Sequence, residues 1–199
     1  MGLTFTNTAA TTAAVTNHFV TSTNMKVGAY TIANASPVWS GGCLVTFAHV
    51  SVTGTDTLGT VALVGTDLLG QTISETLTPV ADSTVTSTKV YRTVTSVTGA
   101  GWVINTGNDT IMVGCAAGNI AAVGVGQLGG VLVNNSVAAT VAITDGSRTI
   151  MVIPSSQAAG SYYNLHGVDF TTNLKVATTS TNDITVFHTG TVPSLYATA

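Results

Sequence analysis

Charge is what this sequence has least of. Lysine, arginine, aspartate and glutamate make up 7% of its 199 residues, against roughly 25% in a typical soluble domain. The five basic residues, Lys26, Lys89, Arg92, Arg148 and Lys175, are scattered, and the formal net charge is -3. That leaves no basic stripe for a phosphate backbone, so nucleic acid is not an expected partner. Cysteine is equally scarce. Cys43 and Cys115 are the only two, too few to hold zinc alone. They read as small buried apolar side chains; a disulfide stays open, because sequence does not place the two Cα atoms within bonding reach. Long apolar runs are missing too. Thr110 to Thr144 carries no charge, but glycines and Asn119, Gln127, Asn134 and Asn135 interrupt it. It falls short of a membrane span of about 20 apolar residues and reads as a buried or subunit-facing segment. The opening "MGLTFTNTAATTAAVTNHF" has neither a basic region nor a continuous apolar core, so no signal peptide is expected and cytoplasmic synthesis is the default.

Thr, Ser, Asn and Gly fill the space that charge leaves. A surface with so few Lys and Glu side chains does little to keep neighbours apart, which points to a protein packed into an assembly. Val, Ile, Thr and Tyr recur in short runs punctuated by Gly, Asn, Asp and Pro, the vocabulary of strands and turns. No stretch sustains helical apolar spacing beyond about two turns. The fold class expected is all-β.

The spacing predicts strands over 39–52, 60–66, 71–78, 84–98, 102–105 and 110–115. A second set follows over 131–134, 139–144, 149–153, 162–165, 174–178 and 183–188. The Gly-rich "AAGNIAAVGVGQLGG" separates the sets. Two β-sandwich modules, Ig-like or jelly-roll-like, suit strands of this length: residues 21–125 and 126–199. Residues 1–20, rich in Thr, Ala and Asn, read as an extended N-terminal arm ordered by a neighbouring subunit.

Glu75 is the only glutamate. In "QTISETLT" it shares a strand face with Ile73 and Leu77, and Val90, Arg92 and Val94 repeat the same apolar, charged, apolar order. Antiparallel pairing would set Glu75 opposite Arg92, a structural pair that locks register. Catalysis needs more than one such carboxylate. A glycosidase uses two, and the seven aspartates lie mostly in turn contexts that explain them. His18, His49, His166 and His188 show no metal spacing, and His49 within "CLVTFAHVSV" reads as a satisfied core or interface histidine. No nucleophile elbow, P-loop or dinucleotide fingerprint appears in its required setting. The expectation is no enzyme, no cofactor and no metal.

Two segments resemble virion proteins. In residues 66–98 an Asp-x-x-Gly turn (Asp67 to Gly70) leads to Ile-x-Glu-Thr (Ile73 to Thr76), and a Thr-rich strand ends in Tyr91, Arg92 and "TVTSV". In residues 130–190, "AITDG", "GVDFTTNLKV" and "DITV" follow in order. These patterns resemble β-rich structural proteins of tailed bacteriophages, of the capsid decoration (cement) or head-fibre type. The resemblance implies a homo-oligomer, trimeric by preference, made in the host cytoplasm. It would be carried on the capsid surface of the virion, bound to the major capsid protein or other virion proteins. It carries over no catalytic residue. A neck or tail component is the alternative within that class. A carbohydrate-binding adhesin is the alternative outside it, with Trp39, Trp102, Tyr162 and Tyr163 as interface or glycan contacts.

Overall fold

The computed structural model describes residues 4–8, 12–37, 39–52 and 56–190. Those residues form strands and no helix, and every strand pairing is antiparallel. In chain order the strands are β1 (Thr4–Thr8), β2 (Val15–Asn24), β3 (Gly28–Ala29), β4 (Cys43–Val50), β5 (Thr60–Thr66), β6 (Thr72–Leu77), β7 (Thr84–Tyr91) and β8 (Thr93–Ala100). Then come β9 (Thr110–Cys115), β10 (Asn119–Val123), β11 (Gly126–Val133), β12 (Val141–Asp145), β13 (Arg148–Ile153), β14 (Tyr162–Phe170), β15 (Asn173–Thr178) and β16 (Ile184–Gly190).

The strands divide into two compact units. In one, β2–β9 build a sheet ordered β2-β9-β4-β7 and a second ordered β3-β8-β5-β6. In the other, β1 and β10–β16 build β1-β16-β11-β14 and β10-β15-β12-β13. Numbered within its own unit, each first sheet runs first, eighth, third, sixth, and each second sheet runs second, seventh, fourth, fifth. That is the strand order of an eight-stranded jelly roll, and it occurs twice. The expected all-β class with sandwich modules holds, and the strand order selects jelly roll over Ig-like.

The units do not follow one another along the chain. The first strand of the C-terminal jelly roll is β1, and residues 14–37 and 42–116, the N-terminal jelly roll, lie between it and β10. The division falls at Ala116 and Ala117 rather than at 125 and 126, because the Gly-rich stretch forms strands. β10 pairs with β15, and β11 is central between β14 and β16. Glycine in a central strand marks a close approach: the Phe170 ring lies over Gly126 and the Tyr162 ring over Gly130, where a Cβ would collide.

The arm expected over residues 1–20 is likewise mostly strand where it is described, with residues 12–14 joining β1 to β2. Residues 1–3 and 9–11 lie outside the described residues. β1 pairs with β16 and β2 with β9, so the chain itself supplies the partners. Hydroxyls and amides do what apolar side chains do elsewhere. Thr12 and Thr178 exchange hydrogen bonds, with the Thr178 N–H donating to Thr12 Oγ1 at 2.7 Å and Thr12 N–H to the Thr178 carbonyl at 3.2 Å. Asn119 Nδ2 donates to Thr8 Oγ1 at 2.8 Å. The predicted single strand over 84–98 breaks at Arg92, where the chain passes from one sheet to the other as β7 and β8, and 102–105 is loop with one bridge, Thr57 to Val103.

Between the sheets of the C-terminal unit, Leu128, Val131, Val133, Ile143, Ile153, Phe170, Leu174, Val176 and Ile184 form one buried core. Alternation explains it: along β15 and β16 every second residue is buried. In the N-terminal unit β4 is buried along almost its whole length, as a central strand must be, and β5 alternates.

Asp145 ends β12 and holds the turn between β14 and β15. Its Oδ1 accepts the N–H groups of Thr172 at 2.7 Å and Asn173 at 3.1 Å, and its Oδ2 accepts that of Thr171 at 2.9 Å. Burial works to raise its pKa, but these N–H groups and the Thr171 hydroxyl outweigh it and bring the carboxyl down to about 2. A depressed carboxylate contributes stability that is complete above the unfolded value and lost as pH falls through the folded one. The thermal midpoint should therefore drop as pH falls from about 4 towards about 2. Asp145→Asn should be less stable at neutral pH and show a flatter profile across that window. An unchanged slope in thermal melts of the variant would contradict this role.

Candidate functional site

Four connections, β2–β3, β4–β5, β6–β7 and β8–β9, meet at one end of the N-terminal jelly roll, joined by polar groups from each. His49, at the end of β4, is buried. Its Nδ1 accepts the N–H of Asp82 at 3.1 Å, so the ring proton sits on Nε2, which faces Asp109 Oδ2 at 3.1 Å. Asp109, also buried, accepts the N–H of Val52 on Oδ1 at 2.7 Å, and its carbonyl accepts that of Met25 at 2.9 Å. The β6–β7 connection is held from both sides: Ser51 N–H donates to Asp82 Oδ1 at 2.8 Å, and His49 N–H to the Ser83 carbonyl at 2.9 Å. Asp82 reaches this position at φ 48, a left-handed conformation that Asp tolerates.

Asp56 completes the network from the β4–β5 connection. It accepts the N–H groups of Asn105 at 2.7 Å, Thr106 at 3.3 Å and Asp109 at 3.4 Å. The Asn105 bond is the largest cause of a carboxyl held below its ordinary value. These acids and His49 look at first like a catalytic set. The chemistry they do is different: both His49 nitrogens are bonded inside the protein, leaving neither to take a proton from a substrate, and the carboxylates point at backbone N–H groups. Among the described residues no three His, Cys, Asp or Glu side chains come together as a metal site.

What this scaffold presents is apolar. Val27, Val50, Val52, Val80, Val103 and Ile104 all lie in or at the edge of the four connections, and all are exposed. They are six of the ten large apolar side chains exposed among the described residues, so the exposure is concentrated and not scattered. The polar network beneath fixes the loops that carry them, giving a preformed apolar tip.

The residues singled out from sequence fall elsewhere. Glu75 does not pair with Arg92. β6 pairs with β5, setting Glu75 opposite Leu63, and β7 belongs to the other sheet. Successive strands here are not all hairpins, and the sixth strand of a jelly roll leaves the sheet of the fifth. Glu75 reaches across the open side of the sandwich to a bulge in β7, where the register slips between Leu44 opposite Val90 and Thr46 opposite Thr86. Its carboxylate accepts the N–H of Thr88 at 2.9 Å, the Thr88 hydroxyl at 3.0 Å and the N–H of Lys89 at 3.2 Å. Lys89 Nζ returns a bond to the Ser74 carbonyl at 2.6 Å, and Ser87 Oγ accepts the Val45 N–H at 2.8 Å. Arg92 is exposed, and its backbone N–H donates to the Thr66 carbonyl at 2.8 Å. Nearby, burial and then the charge of Glu75 push the Tyr91 hydroxyl up to about 12.

Of the aromatic residues, Trp39 is 5% and Trp102 7% exposed, too buried to present a ring face. Tyr163 packs on the C-terminal core; Tyr162 is exposed and meets Phe187 edge to face at 6.0 Å. His49 is the satisfied core histidine the sequence suggests. Its partners Asp82 and Asp109 stand 33 and 60 residues away, beyond any spacing motif. The tip did leave a signal: valine or isoleucine inside turn vocabulary, as in "PVADS" and "WVINTGND". No family model, curated protein or solved structure matches the chain.

Two stability measurements follow from this geometry. Asp109→Ala orphans the buried His49 Nε2–H, at roughly 1–3 kcal/mol, and removes the acceptor of the Val52 N–H, so the urea midpoint should move down accordingly; a midpoint equal to wild type would remove the network as the scaffold of the tip. Glu75→Ala should cost about 1–2 kcal/mol while Arg92→Ala stays within about 0.5 kcal/mol of wild type. Equal losses, with coupling between positions 75 and 92, would restore the ion-pair reading.

Proposed function

We propose that this chain is a structural protein of a tailed-bacteriophage virion, and within that class a capsid decoration protein that binds neighbouring subunits of the major capsid protein. The observation that carries the reading is the apolar tip of the N-terminal jelly roll, fixed by the His49, Asp109, Asp82 and Asp56 network in a chain with 7% charged residues. A surface of this kind works by excluding water against a complementary protein face. A few central apolar side chains carry the energy. Preformed loops lower the ordering cost of association.

Two further observations support it. Jelly rolls are a recurrent architecture of virion proteins and lectins, although fold alone does not assign function. The lectin side of that pair loses its sugar platform here, since Trp39 and Trp102 are buried. Homo-oligomerisation, with a trimer favoured, and residence on the capsid surface belong to the same proposal. A neck, tail or head-fibre position would use the same tip against a different protein.

The test is co-sedimentation of the purified protein with capsids stripped of decoration proteins. Wild type should pellet with the capsids. Val52→Asp combined with Ile104→Asp, both exposed and so tolerated by the fold, should weaken binding at least about 10-fold with an unchanged melting curve. Failure of the wild type to bind capsids, with binding to isolated necks or tails instead, would move the protein to the alternative position. Binding to no particle component would end the virion reading.

A further inference from the structure

Cys43 opens β4 and Cys115 closes β9, neighbouring strands of one sheet. Val45 stands opposite Cys115, and the Ala116 N–H donates to the Leu44 carbonyl at 2.9 Å. Cys43, two residues before Val45, therefore shares its face and lies diagonal to Cys115. The thiols meet: Cys43 Sγ donates to Cys115 Sγ at 3.1 Å, both fully buried. Two free thiols in contact can become covalent by oxidation. Its place in the chain is specific as well. Gly42 and Ala116 are the residues at which the last and longest part of the N-terminal jelly roll begins and ends.

We infer that Cys43 and Cys115 form a disulfide that staples the base of the N-terminal jelly roll, closing a loop whose ends are 72 residues apart in sequence. The reaction is thiol–disulfide exchange with a small-molecule disulfide such as glutathione disulfide. One cysteine thiolate attacks the glutathione disulfide and releases one glutathione thiol. The other cysteine then displaces the second glutathione from the mixed disulfide. Two protein thiols are oxidised, one disulfide is reduced to two thiols, and the protons balance between them. The bond shortens the sulfur separation from 3.1 Å to about 2.05 Å.

The environment also sets when the bond forms. The hydrogen bond to Cys115, followed by burial, raises the Cys43 thiol well above its ordinary value, and the thiolate is the reactive species. In the closed jelly roll the pair is therefore slow to react. Exchange takes place while strands β4 and β9 are coming together or are transiently apart. Once formed, the bond is shielded from reductants by the same burial. The reducing cytoplasm keeps the thiols free, and an oxidising medium closes the staple.

The experiment refolds the full-length protein from denaturant in a glutathione and glutathione disulfide buffer, and separately with a reductant. Non-reducing peptide mapping should find Cys43 linked to Cys115 in the first sample. The linked form should melt higher than the reduced form by roughly 10 °C or more, the size expected for closing a loop of this length. It should also resist dithiothreitol until denaturant is added. Cys43→Ala should show no difference between the two buffers. The inference is overturned if both thiols stay free after oxidative refolding, if the linked form melts at or below the reduced one, or if Cys43→Ala keeps the shift. Because wild type is compared with itself, the result stands even if the variant does not fold.

Discussion

The hydrogen bond from a backbone N–H to a carboxylate organises this protein. A jelly roll leaves N–H groups without ladder partners wherever the chain crosses between sheets or bulges, and such groups need acceptors. Among the described residues Asp56, Asp67, Glu75, Asp82, Asp109 and Asp145 all accept from backbone N–H groups. Charge-assisted bonds are stronger than neutral ones, so a few carboxylates fix many loops. The low charge of the sequence is thus a matter of placement as well as number: its acids serve the backbone, and the outer surface is left to threonine, serine and valine.

The same arrangement separates rigidity from stickiness. Beneath the tip, His49, Asp82 and Asp109 hold three connections together, and above it Val52, Val80, Val103 and Ile104 face solvent. Apolar loops on an unsupported backbone would collapse against one another or onto the core. Bound to a fixed polar floor, they stay displayed.

Much of the fold was legible because strands announce themselves by alternation. β5, β12, β15 and β16 read directly from Val, Ile and Thr at every second place. β10 and the first half of β11 are harder to read, since Gly118 and Gly124 flank β10 and Gly126 and Gly130 of β11 sit under the Phe170 and Tyr162 rings, so the stretch imitates a linker. β1 and β2 were hidden for the opposite reason: they are held by ladder bonds and by Thr8 and Thr12 hydroxyls, with few apolar side chains to mark them. Pairing was less legible than strand existence. Glu75 reads as a strand residue and is one, but its partner depends on β6 and β7 lying in different sheets, a property of topology that local spacing does not encode. The site was least legible of all, being assembled from four loops distant in sequence.

The insertion of one jelly roll between the first and second strands of the other has a consequence for the order of events during synthesis. β1 leaves the ribosome well before its partner β16, Thr8 standing opposite Ile184. At roughly 5–20 residues per second, β1 waits about ten to thirty seconds, while the whole of β2–β9 emerges and has time to fold. The N-terminal jelly roll thus has all its strands available before its host sheet can be completed, and the closing of β16 onto β1 is the step that completes that sheet.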